Sequence, residues 1–205
     1  MKLIDLSHVF DNDMPVYPGD PTPELQQASE IGPGGYAIGS VHTVLHAGTH
    51  IDGPSHVFEE GVFLSDVPVE RFAGRGVLID ARGRTLVDAA ALAGVELRRG
   101  DIALVMSGRS AVYRSPEYFR ESPVVTSAFA QALAEAGVGM LGIDFASPDR
   151  PPFSVHRLLL SQGILIIENL TNLEELVGIR SFEVFALPVR FRAEAGLARV
   201  VARIH

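Results

Sequence analysis

The chain contains no cysteine. That excludes disulfides, thiolate metal sites and a cysteine nucleophile, and it suits the reducing cytoplasm. A basic run is also missing. Seventeen Lys and Arg against 25 Asp and Glu leave a net charge of −8, without the positive footprint of a nucleic-acid binder. Long apolar stretches are absent too: Gly163-Ile164-Leu165-Ile166-Ile167 stops at Glu168, far short of the ~20 residues that a membrane span needs. The opening Met1-Lys2-Leu3-Ile4-Asp5-Leu6-Ser7-His8 meets Asp5 and His8 before any apolar stretch of signal-peptide length. Repeats and low-complexity tracts are lacking. The expectation is a soluble cytoplasmic protein that binds neither nucleic acid nor membrane.

What is present is ordinary globular composition, 47% hydrophobic and 20% charged over 205 residues. At roughly 150 residues per domain, one domain spanning residues 1–205 is expected. Three loop-like stretches cover residues 11–23 (with Pro15, Pro18, Pro21 and Pro23), 31–35 and 147–152. None separates two pieces large enough to hold their own cores, and the first, being long, is a candidate pocket wall. Thr126 and Gly137 bracket a predicted helix over 127–136, and Ser154 and Gly163 bracket another over 155–162. A shorter helix is expected around Asp88 to Leu92. Apolar or β-branched runs predict strands at 76–80, 102–106, 138–143 and 164–167, and a hairpin formed by 182–191 and 197–204. This pattern is α/β: a mixed sheet with flanking helices.

Four of the seven histidines, His42, His46, His50 and His56, fall within 15 positions together with Asp52. Imidazole nitrogen and carboxylate oxygen are the ligand set for zinc, manganese and similar ions when sulfur is absent. In a straight strand His46 and His50 would stand about 13 Å apart, at ~3.3 Å per residue, too far to share an ion. The chain must therefore turn between them, and Gly48 is the residue that permits it. His50 and Asp52, two apart, converge without bending, and Gly53-Pro54 can bring His56 back over the same place. His42 lies in the strand-like stretch 37–45 and needs no metal to explain it. In the second half, His156 falls in the first turn of a helix, where the macrodipole disfavours imidazolium and favours the neutral ring that a metal requires. Glu168 ends a fully apolar strand, either as a solvated terminus or as a ligand at the mouth of the sheet.

The run His46-x-Gly48-Thr49-His50-x-Asp52-x-Pro54-x-His56 resembles the motif of the cyclase-like metal-dependent hydrolases, the family that includes bacterial kynurenine formamidase. Asp5-Leu6-Ser7-His8, Met14-Pro15-Val16-Tyr17-Pro18-Gly19-Asp20 and the pairing of His156 with Glu168 extend the resemblance along the chain. It implies a swivelling β/β/α-type fold and two divalent metal ions per subunit, zinc or in some relatives manganese. By position, His46 and His50 look like ligands of one ion and His156 of the other, with Asp52 and Glu168 bridging and His56 as general acid/base. The substrate implied is a small aromatic formamide resembling N-formylkynurenine, and the assembly a homodimer or homotetramer. One departure bears on the substrate: Tyr17 stands where the formamidase pattern has Trp, and the chain has no Trp at all. Cyclic amides such as isatin, or lactones, are the alternative substrates, and a non-catalytic metal-stabilised binding protein is the alternative class. Tyr17 is the candidate substrate-binding aromatic; Phe10 and Phe63 are weaker ones, better explained as core.

Overall fold

The computed structural model describes residues 1–204. Its strands are β1 (Lys2–Asp5), β2 (Glu24–Ser29), β3 (Ile38–His42), β4 (His50–Asp52), β5 (Ala73–Asp80), β6 (Leu86–Val87), β7 (Ile102–Met106), β8 (Val124–Val125), β9 (Met140–Ile143), β10 (Leu165–Glu168), β11 (Phe182–Pro188) and β12 (Ala195–Ile204). The helices are α1 (Glu117–Arg120), α2 (Ser127–Ala136) and α3 (Ser154–Ser161). The main sheet runs β1-β12-β11-β5-β7-β9-β10-β4, and β4 pairs back onto β12. Seven strands thus close into a mixed barrel, with β1 attached along the C-terminal half of β12. Closure removes the exposed edges that an open sheet would leave.

The expected α/β class with a mixed sheet is present, but the sheet is a barrel and the helices are few. The short helix near Asp88 is a 3-10 turn over Ala89–Leu92, with the Asp88 carboxylate accepting from the Ala90 amide. β3 falls within the strand-like stretch 37–45, whereas β2 lies where no element was expected; the two form a separate hairpin whose residues are nearly all exposed.

Alternation along the strands explains where the site lies. Ile51, Ile102, Leu104, Met106, Met140, Leu165, Ile167, Val184 and Val200 belong to one buried cluster drawn from six barrel strands, which fills the interior. Their neighbours Ala103, Val105, Leu141, Ile143 and Ile166 face outward into a second cluster, beneath Phe129 and Leu133 of α2 and Val155 and Leu159 of α3. β7 is therefore buried on both faces, which is why it reads as an unbroken apolar run. On β4, Ile51 points inward, so His50 and Asp52 must point outward. Glu168 shares parity with the outward Ile166. It lies directly opposite His50 across the antiparallel β4–β10 ladder, while Ile166 lies opposite Asp52. Directly opposed residues have Cβ atoms about 4.5–5.5 Å apart, so register alone brings His50, Asp52 and Glu168 together on the helix side of the barrel.

Candidate metal centre

The chain turns over residues 45–49 before β4 begins, and Gly48 takes a left-handed φ of +66°. A side chain there would be strained, and its Cβ would lie 2.6 Å from the Met14 Cε. The turn brings the His46 and His50 rings to 5.1 Å. It also aims the Gly48 carbonyl at the His50 Nδ1, 2.8 Å away. A carbonyl only accepts, so Nδ1 carries the proton and Nε2 is left to face the site. After Asp52, Gly53-Pro54 leads into the single turn Pro54–His56. Gly61 packs against that turn so closely that a Cβ would sit 2.5 Å from the Pro54 carbonyl carbon. The turn returns His56 to 4.4 Å from the His46 ring and 5.8 Å from the His156 ring, centroid to centroid.

The second half of the chain delivers the rest. His156 lies in the first turn of α3, but Ser154 is not its cap: it is the first helical residue, after Phe153 at φ +58°. The capping role belongs to Asp149, whose Oδ2 accepts from the Val155 amide at 2.6 Å. Its Oδ1 lies 2.5 Å from His156 Nδ1. The opposite nitrogen, His156 Nε2, faces Glu168 Oε1 at 3.5 Å and Asp52 Oδ2 at 3.8 Å. The remaining oxygens turn to His50: Asp52 Oδ1 is 3.4 Å and Glu168 Oε2 is 3.5 Å from its Nε2. Each carboxylate thus offers one oxygen to each histidine. His46 Nδ1 stands 2.9 Å from Asp52 Oδ1, and Glu194, a residue without a signal in the sequence, lies 3.6 Å from His46 Nε2.

All six residues singled out around the motif meet in one place. Among the described residues, the atoms able to ligate fall into two overlapping triads, His46–Asp52–His56 and His50–Asp52–Glu168, each within 4.8 Å. His42 remains apart on exposed β3. His50, Asp52, His156 and Glu168 are all at most 6% exposed. Even so, His50 Nε2, Asp52 Oδ1 and Glu168 Oε1 make only ion-pair contacts within the cluster and no hydrogen bond. An unsatisfied buried polar atom costs about 1–3 kcal/mol. His50, Asp52 and Glu168 each bring one ligand atom within 4.8 Å of the others, an arrangement that fits a divalent cation, and the all-nitrogen-and-oxygen donor set suits zinc or manganese.

The electrostatics point the same way. Burial opposes charge on His50, but Asp52 and then Glu168 override it and hold the imidazole up at about 9. Burial is likewise outweighed at His156, by the Asp149 hydrogen bond and by Glu168 and Asp52, giving about 10. The neutral ring expected from the helix dipole is therefore reversed by neighbouring carboxylates: the pocket favours positive charge. Burial also opposes ionisation of Asp52, yet His50 and His46 keep it well below the usual carboxylate range. Burial and Asp52 raise Glu168. His56, at the exposed mouth, moves the other way: burial of its ring and the neighbouring histidines outweigh Asp52 and lower it. It stands ready as a neutral base.

Above the cluster opens a cavity of about 230 Å³ whose wall includes Tyr17, Asp20, Phe119, Ser147, Phe153 and Asn169. The first loop is a pocket wall, as its length suggests. Tyr17 is 41% exposed and meets Phe119 edge to face at 6.1 Å. Phe10 and Phe63 do not line this cavity; Phe119 and Phe153 take that place. Asn169, at φ +57°, donates from Nδ2 to the Gly48 carbonyl and accepts from the Tyr118 hydroxyl at Oδ1. Its signal was an Asn, tolerant of left-handed backbone, directly after Glu168. Asp149 was signalled only by an acid in the loop before a helix that carries a histidine. The Asp5-Leu6-Ser7-His8 motif reaches the cluster through its neighbours: Asp5 pairs with Arg199, Ser7 bonds to Val200, and His8 stacks on Tyr113 at 3.6 Å and donates its amide to the Thr49 hydroxyl beside His50.

On the outer face of a seven-stranded mixed barrel, under an aromatic-walled cavity, the α/β chain thus carries a buried imidazole–carboxylate cluster that is a candidate metal site. The family described as "Putative cyclase" matches residues 4–150, and the chain belongs to it. It is 30% identical over 209 residues to the kynurenine formamidase of Delftia acidovorans, covering 98% of this chain and 97% of that protein. With the kynurenine formamidase of Bacillus cereus it shares 28% identity over 98% and 96% of the two chains. Among solved structures, isatin hydrolase A from Labrenzia aggregata superposes with a TM-score of 0.89 at 22% identity, covering 99% of this chain and 93% of that one. A structure described as a potential metal-dependent hydrolase with cyclase activity superposes at 0.79 with 25% identity, covering 98% and 96%.

Proposed function

We propose that this chain is a metal-dependent amidohydrolase that cleaves the C–N bond of a small aromatic formamide of the N-formylkynurenine kind. The observation that carries the reading is the set of buried atoms without hydrogen bonds: Asp52 Oδ1 and Glu168 Oε1, whose residues line an aromatic-walled cavity, and His50 Nε2 behind them. Two divalent ions per subunit, zinc or alternatively manganese, are assigned to it. His46 and His50 would hold one and His156 the other, with Asp52 and Glu168 available to both, as the split of their oxygens between His50 and His156 supports. When bound, such ions polarise a carbonyl and make water more acidic.

The rest is the work of the chain. Tyr17, with Phe119 and Phe153 beside it, offers faces and edges to a flat substrate. His56, exposed at the mouth with a lowered pKa, accepts the proton of the attacking water and returns it to the leaving nitrogen. His56 also stands in one of the two triads, so a ligand role competes with this one. The buried floor keeps bulk water from the carboxylates and so strengthens their hold on positive charge. The same reading takes residues 1–205 as one swivelling β/β/α domain, acting on a small molecule in the cytoplasm as a homodimer or homotetramer.

A second reading, hydrolysis of a cyclic amide such as isatin or of a lactone, is favoured by the cavity wall, which includes neither Lys nor Arg. A carboxylate-bearing formamide would find no Lys or Arg in that wall to pair with its carboxylate, whereas a neutral ring needs none. Relative rates of zinc- and manganese-loaded protein on N-formylkynurenine, isatin and simple lactones test both. The formamide is expected to be fastest. Isatin or a lactone fastest would select the second reading, and no turnover of any would favour a metal-stabilised binding protein.

A further inference from the structure

We infer that Asp149 is a positioning residue for the metal centre: it fixes the His156 ring so that Nε2, and not Nδ1, faces Asp52 and Glu168. This rests on the metal-centre reading above. Asp149 is 5% exposed, and both its oxygens are committed. Oδ2 accepts from the Val155 amide at the start of α3, and Oδ1 lies 2.5 Å from His156 Nδ1. A carboxylate has no proton to give, so in this pair Nδ1 is the donor, and Nε2, directed at the two floor carboxylates, is the nitrogen that a cation would meet once it displaces the Nε2 proton. The backbone holds the acid in place: the Ser147 hydroxyl donates to the Asp149 carbonyl at 3.0 Å, and the Pro148 carbonyl accepts from the Val125 amide at 2.8 Å. One side chain thus couples the entry of α3 to the orientation of the ligand one turn inside it. Hydrogen-bonded carboxylates behind metal-binding histidines set the tautomer and ring orientation in this way.

Capping and positioning are separable by substitution. Asp149→Asn keeps an oxygen for the Val155 amide, and its Nδ2 then faces His156 Nδ1. An amide nitrogen only donates, so Nδ1 must accept and the proton moves to Nε2, where a cation would otherwise bind. Asp149→Ala removes both functions. The test titrates zinc into chelator-stripped wild-type, Asp149→Asn and Asp149→Ala proteins in competition with a chromophoric chelator, alongside thermal unfolding of the metal-free forms. The expected result is zinc affinity about 10–100-fold weaker in both variants, with the metal-free melting temperature lowered clearly in Asp149→Ala and little in Asp149→Asn. Wild-type zinc affinity in Asp149→Asn would overturn the inference and leave Asp149 a helix cap only. A wild-type protein that takes up no zinc would overturn the metal-centre reading and this inference with it.

Discussion

The floor and the rim of the cavity are built on opposite terms. On the floor, His50, Asp52, His156 and Glu168 are buried, and three of their polar atoms make no hydrogen bond. At the rim, His46 is partly exposed, His56 and Tyr17 are more so, and Tyr17 leans on Phe119. The directions of charge differ as well: the floor histidines are pushed toward the charged form, and His56 toward the neutral one. A fold that buries four ionisable groups without completing their hydrogen bonds spends stability on affinity for a cation. The rim retains the solvent contact that proton exchange and substrate entry require. Floor residues, with His46 at their edge, should therefore govern metal and fold together, and His56 and Tyr17 turnover alone.

The hardest break of that division is Asp52→Ala. It removes the carboxylate shared by His46, His50 and His156, so zinc affinity should fall by more than about 100-fold, beyond what supporting partners cost, and turnover should vanish with it. Chelator-competition titration checks this, and retained wild-type affinity would move the centre elsewhere. His56→Ala should leave zinc content unchanged while kcat drops about 10²–10⁴-fold. Full turnover would remove His56 from proton transfer, whereas lost zinc would make it a ligand. Tyr17→Ala should raise KM about 2–10-fold, the value of an aromatic contact, with kcat and metal content held; steady-state kinetics on the best substrate separates these. The smallest effect is on the metal-free protein. The folded-state values of His50 and His156, about 9 and about 10, lie above the unfolded value near 6.5. Their stabilisation is therefore complete below about pH 6.5 and is lost as pH rises through 9 and 10. Urea midpoints of stripped protein should fall over that range. A midpoint that rises instead would contradict the charged floor.

Much of this division is legible in the sequence because the first-half residues are local. His46, His50, Asp52 and His56 span eleven positions, and Gly48 and Gly53-Pro54 signal the bends that gather them. The helix over 127–136 is equally local: Thr126 accepts from the Phe129 amide, and Gly137 takes φ +71°. Barrel closure is not local. It joins β4 to β12 across more than 140 positions, and a three-residue strand such as His50–Asp52 has too little periodicity to declare its partner. The same distance hides Asp149 and Asn169: one caps a helix through a loop, and the other reaches 121 residues back to the Gly48 carbonyl. Both matter through the geometry of a neighbour and contribute nothing to a motif. β3 is legible as the strand-like stretch 37–45, but its partner β2 is missed for another reason: its exposed residues lack the half-buried alternation by which strands are recognised.

The central claim, that the buried floor holds a pair of divalent cations, is tested most directly by counting them. Stripped protein is reloaded with zinc and gel-filtered, and the metal per chain is measured by inductively coupled plasma mass spectrometry. Two zinc ions per chain are predicted for the wild type; a chain that retains one or none would contradict the claim.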